Sequence, residues 1–133
     1  MTSTNPVHTA GNAVPPLGGE LEGLFEDLAA VHDVGVDQIL SGLRHIALNR
    51  HTVDRTQTLI AVLAGGADSL NIVALIGQII ARLADADTNP ALHTLPLDQQ
   101  KQARREGQNT AHWHTDPDLA QTASETSAAI TGN

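Results

Sequence analysis

The chain has 133 residues, with seven Lys and Arg against 15 Asp and Glu, for a net charge of −8 with neutral histidines. That balance argues against a free nucleic-acid binder, which needs a basic face to neutralise phosphates. With no cysteine and no tyrosine, one Phe and one Trp, disulfides are excluded and any core must rest on Leu, Ile and Val.

The absence of cysteine suits a reducing compartment, so the expected location is cytoplasmic. Arginine outnumbers lysine and alanine and threonine abound, as in GC-rich bacterial or phage proteins. The opening "MTSTNPVHTAGNAVPP" has neither the charged start nor the apolar run of a secretory signal. Residues 1–17 read as a disordered arm.

Leu21, Leu24, Phe25, Leu28 and Val31 recur at helical spacing, which predicts a first helix over 20–31;. Glu20 and Glu22 occupy its first turn, where the macrodipole favours carboxylates, and "HDVG" ends it. Ile39, Leu40, Leu43, Ile46 and Ala47 predict a second helix over 37–48, stopped by Asn49 in a left-handed conformation;. Thr52 is a good N-cap for a third helix reaching Ala64 and ending at Gly65-Gly66.

The fourth helix gives the clearest pattern. Asp68 or Ser69 caps "LNIVALIGQIIARLADA", in which Ile72, Ile76, Ile79 and Leu83 follow alternating spacings of four and three. This is a heptad-like seam. The helix is apolar nearly all round, which predicts burial on most sides. Asn89-Pro90 ends it. "LDQQKQARREGQ" lacks an apolar stripe and reads as a solvated helix at best. A last helix begins at Asp116-Pro117, an N-cap followed by proline at the first helical position. Its Ser, Thr and Ala content predicts poor stability alone.

Seven histidines raise the question of a metal site, but they are scattered, with no His-Glu-x-x-His and no His pair at i, i+4 spacing;. "HWH" (residues 112–114) could share a metal on an extended strand. On a helix His112 and His114 would splay about 200° apart. No metal and no cofactor is therefore expected.

Catalysis has little to rest on. There is no cysteine nucleophile, Lys101 lies in a polar segment, and Ser3, Ser41, Ser69, Ser124 and Ser127 have no nucleophile-elbow context;. "AGGADS" lacks the Walker lysine. No catalytic residue is assigned, and the chain reads as no enzyme. A crowded corner of Arg44, His45, Arg50, His51, Asp54 and Arg55 could bind an anion or an acidic partner segment, including the acidic first helix of another copy.

Two segments invite other readings. "QTLIAVLAGGADSLNIVALIG" loosely mimics a helix-turn-helix, but its second helix has no Lys or Arg before Arg82;. Residues 59–80 have the length of a bilayer span, yet Gly65-Gly66 and Asp68 interrupt them;.

The expected fold is all-α: a small four-helix bundle over 18–90, with a disordered arm and a flexible, partly helical tail over 91–133. The expected function is non-enzymatic. The bundle self-associates through Ile72, Ile76, Ile79 and Leu83, a dimer being favoured. The tail presents His112, Trp113, His114 and Leu119 to an unknown protein partner, with Trp113 as anchor. A membrane-associated accessory protein built on 59–80 is the alternative, and a DNA-binding regulator the more distant one.

Overall fold

The computed structural model describes residues 14–66 and 70–131, with the side chain of Thr131 left aside. Among them the regular structure is entirely helical: α1 (Gly19–Ala29), α2 (Val34–Leu48), α3 (Val53–Ile60), α4 (Ile72–Leu83), α5 (Leu97–His114) and α6 (Pro117–Thr131). A π-helical turn, Ala61–Gly65, continues α3, and a 3₁₀ turn, Pro90–Thr94, precedes α5. Most of the expected arm, residues 1–13, and the expected caps Asp68 and Ser69 lie outside the described residues. The chain divides into two compact units, residues 1–51 and 52–133.

The first unit is an α1–α2 hairpin. After α1 the chain reverses through His32, whose φ of 58° is left-handed. Asp33 then accepts a hydrogen bond from the Val36 amide at 2.9 Å and caps α2. This cap starts α2 three residues earlier than the apolar spacing alone predicts. Asn49 ends the helix as expected, but not in a left-handed conformation: its φ is −89°. Its side-chain amide donates to the His45 carbonyl at 2.7 Å, satisfying a C-terminal carbonyl without a left-handed residue;.

Phe25 and Leu40 are the buried large side chains of the hairpin. The Arg44 guanidinium lies 4.6 Å from the Phe25 ring centroid and forks onto both carboxylate oxygens of Glu22, at 3.1 and 2.7 Å. Arg44 is thus engaged within its own hairpin.

The second unit begins with Thr52, whose hydroxyl accepts from the Arg55 amide at 3.1 Å, as an N-cap should;. At the start of α4, the side chain of Asn71 accepts from the Ala74 amide at 2.8 Å and acts as the cap. Helix α4 packs chiefly on α5, while α3 and the π turn pack on α6. The expected bundle over 18–90 is therefore not the pairing observed. Residues 97–131, expected as a flexible tail with weak helices, form two helices that supply the partners of α3 and α4.

Glycine and alanine make this pairing close. Ala74, Gly77, Ala81 and Ala84 line one face of α4, opposite Gly107 and Ala111 of α5. A Cβ at Gly77 would stand 2.5 Å from the His114 Cβ and 3.1 Å from the Ala111 Cα. At Gly107 it would stand 2.7 Å from the Ala84 Cβ and 3.2 Å from the Ala81 Cα. The α6 contact is similar: a Cβ at Gly65 would meet the Ser124 backbone nitrogen at 3.0 Å. Two serine hydroxyls of α6 donate across this contact, Ser124 to the Gly65 carbonyl at 2.8 Å and Ser127 to the Gln57 carbonyl at 3.2 Å. The π turn and the end of α3 thus have carbonyls satisfied from outside their own helix, and the polar content of α6 contributes to its docking.

These arrangements predict opposite signs for one substitution type. Gly42→Ala in α2, where an added Cβ meets nothing within 4 Å, stabilises by roughly 0.5–1 kcal/mol through helix propensity. Gly77→Ala gains the same propensity but overpacks against His114, at a cost of about 1–3 kcal/mol. Urea unfolding should therefore show the second variant no more stable than the parent, and a net gain would refute the close approach.

The Arg44 hydrogen bonds hold the Glu22 carboxyl below its ordinary value of 4.5. A depressed carboxylate stabilises the fold above that ordinary value and loses its contribution as the pH falls through the depressed one. The destabilisation by Glu22→Gln should accordingly be present at neutral pH and fade below pH 4.5. Amide hydrogen exchange in α1 and α2 at the two pH values checks this.

Candidate functional site

Side-chain size on α4 is distributed against the usual rule. Its small residues face α5, and its large aliphatics face away. At 3.6 residues per turn, the Ile72–Ile76–Ile79–Leu83 row lies about 150° round the helix from the Ala74–Gly77–Ala81–Ala84 face. Ile72 is half-buried, whereas Ile76, Ile79 and Leu83 are 41%, 48% and 59% exposed, and Leu75 beside them is also exposed. The expectation that α4 is buried on most sides is corrected here. A helix-helix contact close enough to need glycine leaves no room for isoleucine, so the aliphatic row is turned outward.

The expected tail residues fall on two helices. His112, Trp113 and His114 form the last turn of α5, and Leu119 lies in the first turn of α6. Trp113 is 68% exposed, so it does not fold back over an apolar groove of its own unit. His112 meets its ring edge-on, with centroids 6.4 Å apart. His114 points the other way: half-buried, it packs its Cβ against Gly77, and its ring Nδ1 lies 2.9 Å from the Thr110 carbonyl. Helical geometry thus separates the two histidines, as their spacing on a helix predicts. Leu119 is exposed. Asp116 accepts from the Asp118 amide at 2.9 Å and opens α6.

Between the two helices runs a groove that the sequence reading did not identify. It has a volume of about 560 Å³ and is lined by Gln78, Arg82 and Asp85 on the α4 side and Arg104, Gln108 and His112 on the α5 side, floored by Ala81 and Ala111. Arg104 reaches Asp85 and Asp87, each at 3.7 Å. The signal was present as two polar rows at helical spacing, Gln78–Arg82–Asp85 and Arg104–Gln108–Thr115, each beside a row of small residues. A small-residue row carries little hydropathy, so the pairing of the two polar rows stayed hidden.

Among the described residues, no group of three or more His, Cys, Asp or Glu is gathered as a metal would require. Among the same residues, no helix is long and apolar enough to cross a membrane. No protein-family profile, curated protein or solved structure matches the chain. Its class is therefore set by its own architecture: a small all-α protein with an outward aliphatic row and an exposed tryptophan.

The placement of Trp113 gives a direct optical test. In dilute solution its emission should be that of a solvated indole, readily quenched by iodide. Strong protection from quenching at the lowest workable concentration would contradict the exposed position.

Proposed function

We propose that the chain is a non-enzymatic interaction protein that self-associates through the outward face of α4, as a dimer, and presents the end of α5 to a protein partner. The observation that carries this reading is the exposure of Ile76, Ile79 and Leu83 in one row on a helix whose other side is already packed. Burial of aliphatic surface contributes about 25 cal/mol per Å², and isolated surface leucines are ordinary, but a continuous row is characteristic of an association face. Heptad-like spacing supports a paired helix as the occupant, since the same spacing on a second copy interdigitates with it. A symmetric two-fold pairing uses the row twice and closes.

Trp113 adds the partner-binding element. Tryptophan is enriched among the residues that dominate interface energies, and here it stands at a helix end beside His112 and close in sequence to the exposed Leu119. A cysteine-free chain functions without hindrance in a reducing compartment, which supports a cytoplasmic setting.

The outward row also supports a second reading, a membrane-associated accessory protein that lays α4 on a lipid surface. Amphipathic helices adsorb in this way without crossing the bilayer.

Light scattering on a sizing column, without detergent, tests the first reading. The full chain should elute with twice its 13.9 kDa mass. The Ile76→Glu, Ile79→Glu double variant, altered only at exposed positions, should be helical and monomeric. A parent chain monomeric at high micromolar concentration defeats the self-association reading. Flotation of the parent with liposomes, lost in the same variant, would favour the lipid reading instead.

A further inference from the structure

The groove between α4 and α5 is separate from the aliphatic row, and its chemistry is different. Around its rim stand the Arg82 guanidinium, the side-chain amides of Gln78 and Gln108, and the His112 ring. Among the described residues, Arg82 takes part in no ion pair, and neither glutamine side chain is hydrogen-bonded to another protein group. Arg104 faces Asp85 and Asp87 at 3.7 Å, well beyond the roughly 2.7–2.9 Å of a formed charge-assisted hydrogen bond. Its donors are therefore not saturated.

Two guanidinium groups and one carboxylate, Asp85, line the groove, while Asp87 stands outside the lining at 3.7 Å from Arg104. A cation would meet two positive charges there, and an apolar molecule would strand the amides without acceptors. The floor of Ala81 and Ala111 leaves depth for a body, and about 560 Å³ is the size of a small-molecule site;.

We infer that this groove binds a small organic anion carrying a carboxylate or phosphate group. Arg82 and Arg104 hold the charged group with their planar donor forks, and Gln78, Gln108 and His112 donate to the remaining polar atoms. Asp85 and Asp87 act against the ligand by competing for Arg104.

The test is a titration of the ¹⁵N-labelled full chain, followed by NMR, with phenyl phosphate, benzoate and inorganic phosphate at constant ionic strength. Saturable shifts are expected at the side-chain resonances of Arg82, Gln78 and Gln108. A stronger response to phenyl phosphate assigns a phosphate ester, and a stronger response to benzoate assigns a carboxylate. Arg82→Gln should weaken binding about tenfold, as loss of a charge-assisted hydrogen bond does. Asp85→Asn combined with Asp87→Asn should tighten it several-fold by releasing Arg104 from both carboxylates, a gain that a merely damaged fold cannot produce. The absence of saturation with all three probes overturns the inference. So does an unchanged titration in the Arg82→Gln, Arg104→Gln double variant.

Discussion

The close approach of α4 to α5 governs the second unit. Two helices meet at Gly77, Ala81 and Ala84 on one side and Gly107, Ala111 and His114 on the other, so close that a Cβ on either glycine would stand 2.5 or 2.7 Å from the nearest facing atom. Contacts of this kind gain dispersion energy over many atom pairs at short range, although they bury little side chain. They also leave little room for large side chains, and His114 fits beside Gly77 because that position carries none. The leucines and isoleucines of α4 must then lie elsewhere, and the face opposite the contact is where Ile76, Ile79 and Leu83 stand. One spacing choice thus produces both the compact helix pair and the exposed aliphatic row.

The hairpin of residues 19–48 solves a different problem with less material. Its buried large side chains are Phe25 and Leu40, a thin core for two helices, since small units bury too little surface to be stable alone without help. Arg44 reinforces this core by stacking on Phe25 while forking onto Glu22. The pair is partly exposed, so its worth lies more in fixing the rotation of α2 against α1 than in net stability. Leu24, Leu28, Ile39 and Leu43 keep exposed surface around that core.

How much of this was legible depended on what each contact is made of. Helices α1 to α4 announce themselves because Leu, Ile and Phe recur at helical spacing, and Thr52 and Asp116-Pro117 mark starts through side-chain chemistry. The roles of α5 and α6 were not legible by the same route. Their interfaces consist of Gly107, Ala111, Ala123, Ser124 and Ser127, which carry almost no hydropathy. A reading that equates apolar stripes with packing assigns such segments to solvent. The Ile72–Leu83 seam was visible as a periodicity, but periodicity does not say whether a partner lies in the same chain. What the structure adds is Gly77, which marks the opposite face as the one taken by α5. For the tail, spacing alone foretold that a helix would part His112 from His114.

Helix α4 consequently presents three faces with three chemistries. Taking 3.6 residues per turn, Gln78 and Arg82 fall between the small-residue face and the aliphatic row, about 90–130° from the latter's centre. A second copy or a lipid surface seated on Ile76, Ile79 and Leu83 would approach from the side away from α5, leaving Arg82, Arg104 and Gln108 open to solution. Assembly and anion binding would therefore not compete for the same surface. Coupling between them would have to pass through α4 itself, by a small shift of the helix against α5. At Gly77 and Gly107 the helices are close enough that an added Cβ would stand 2.5 and 2.7 Å from the facing His114 and Ala84 Cβ atoms. The close contact that exposes the aliphatic row thus also brings together the residues that line the groove beside it.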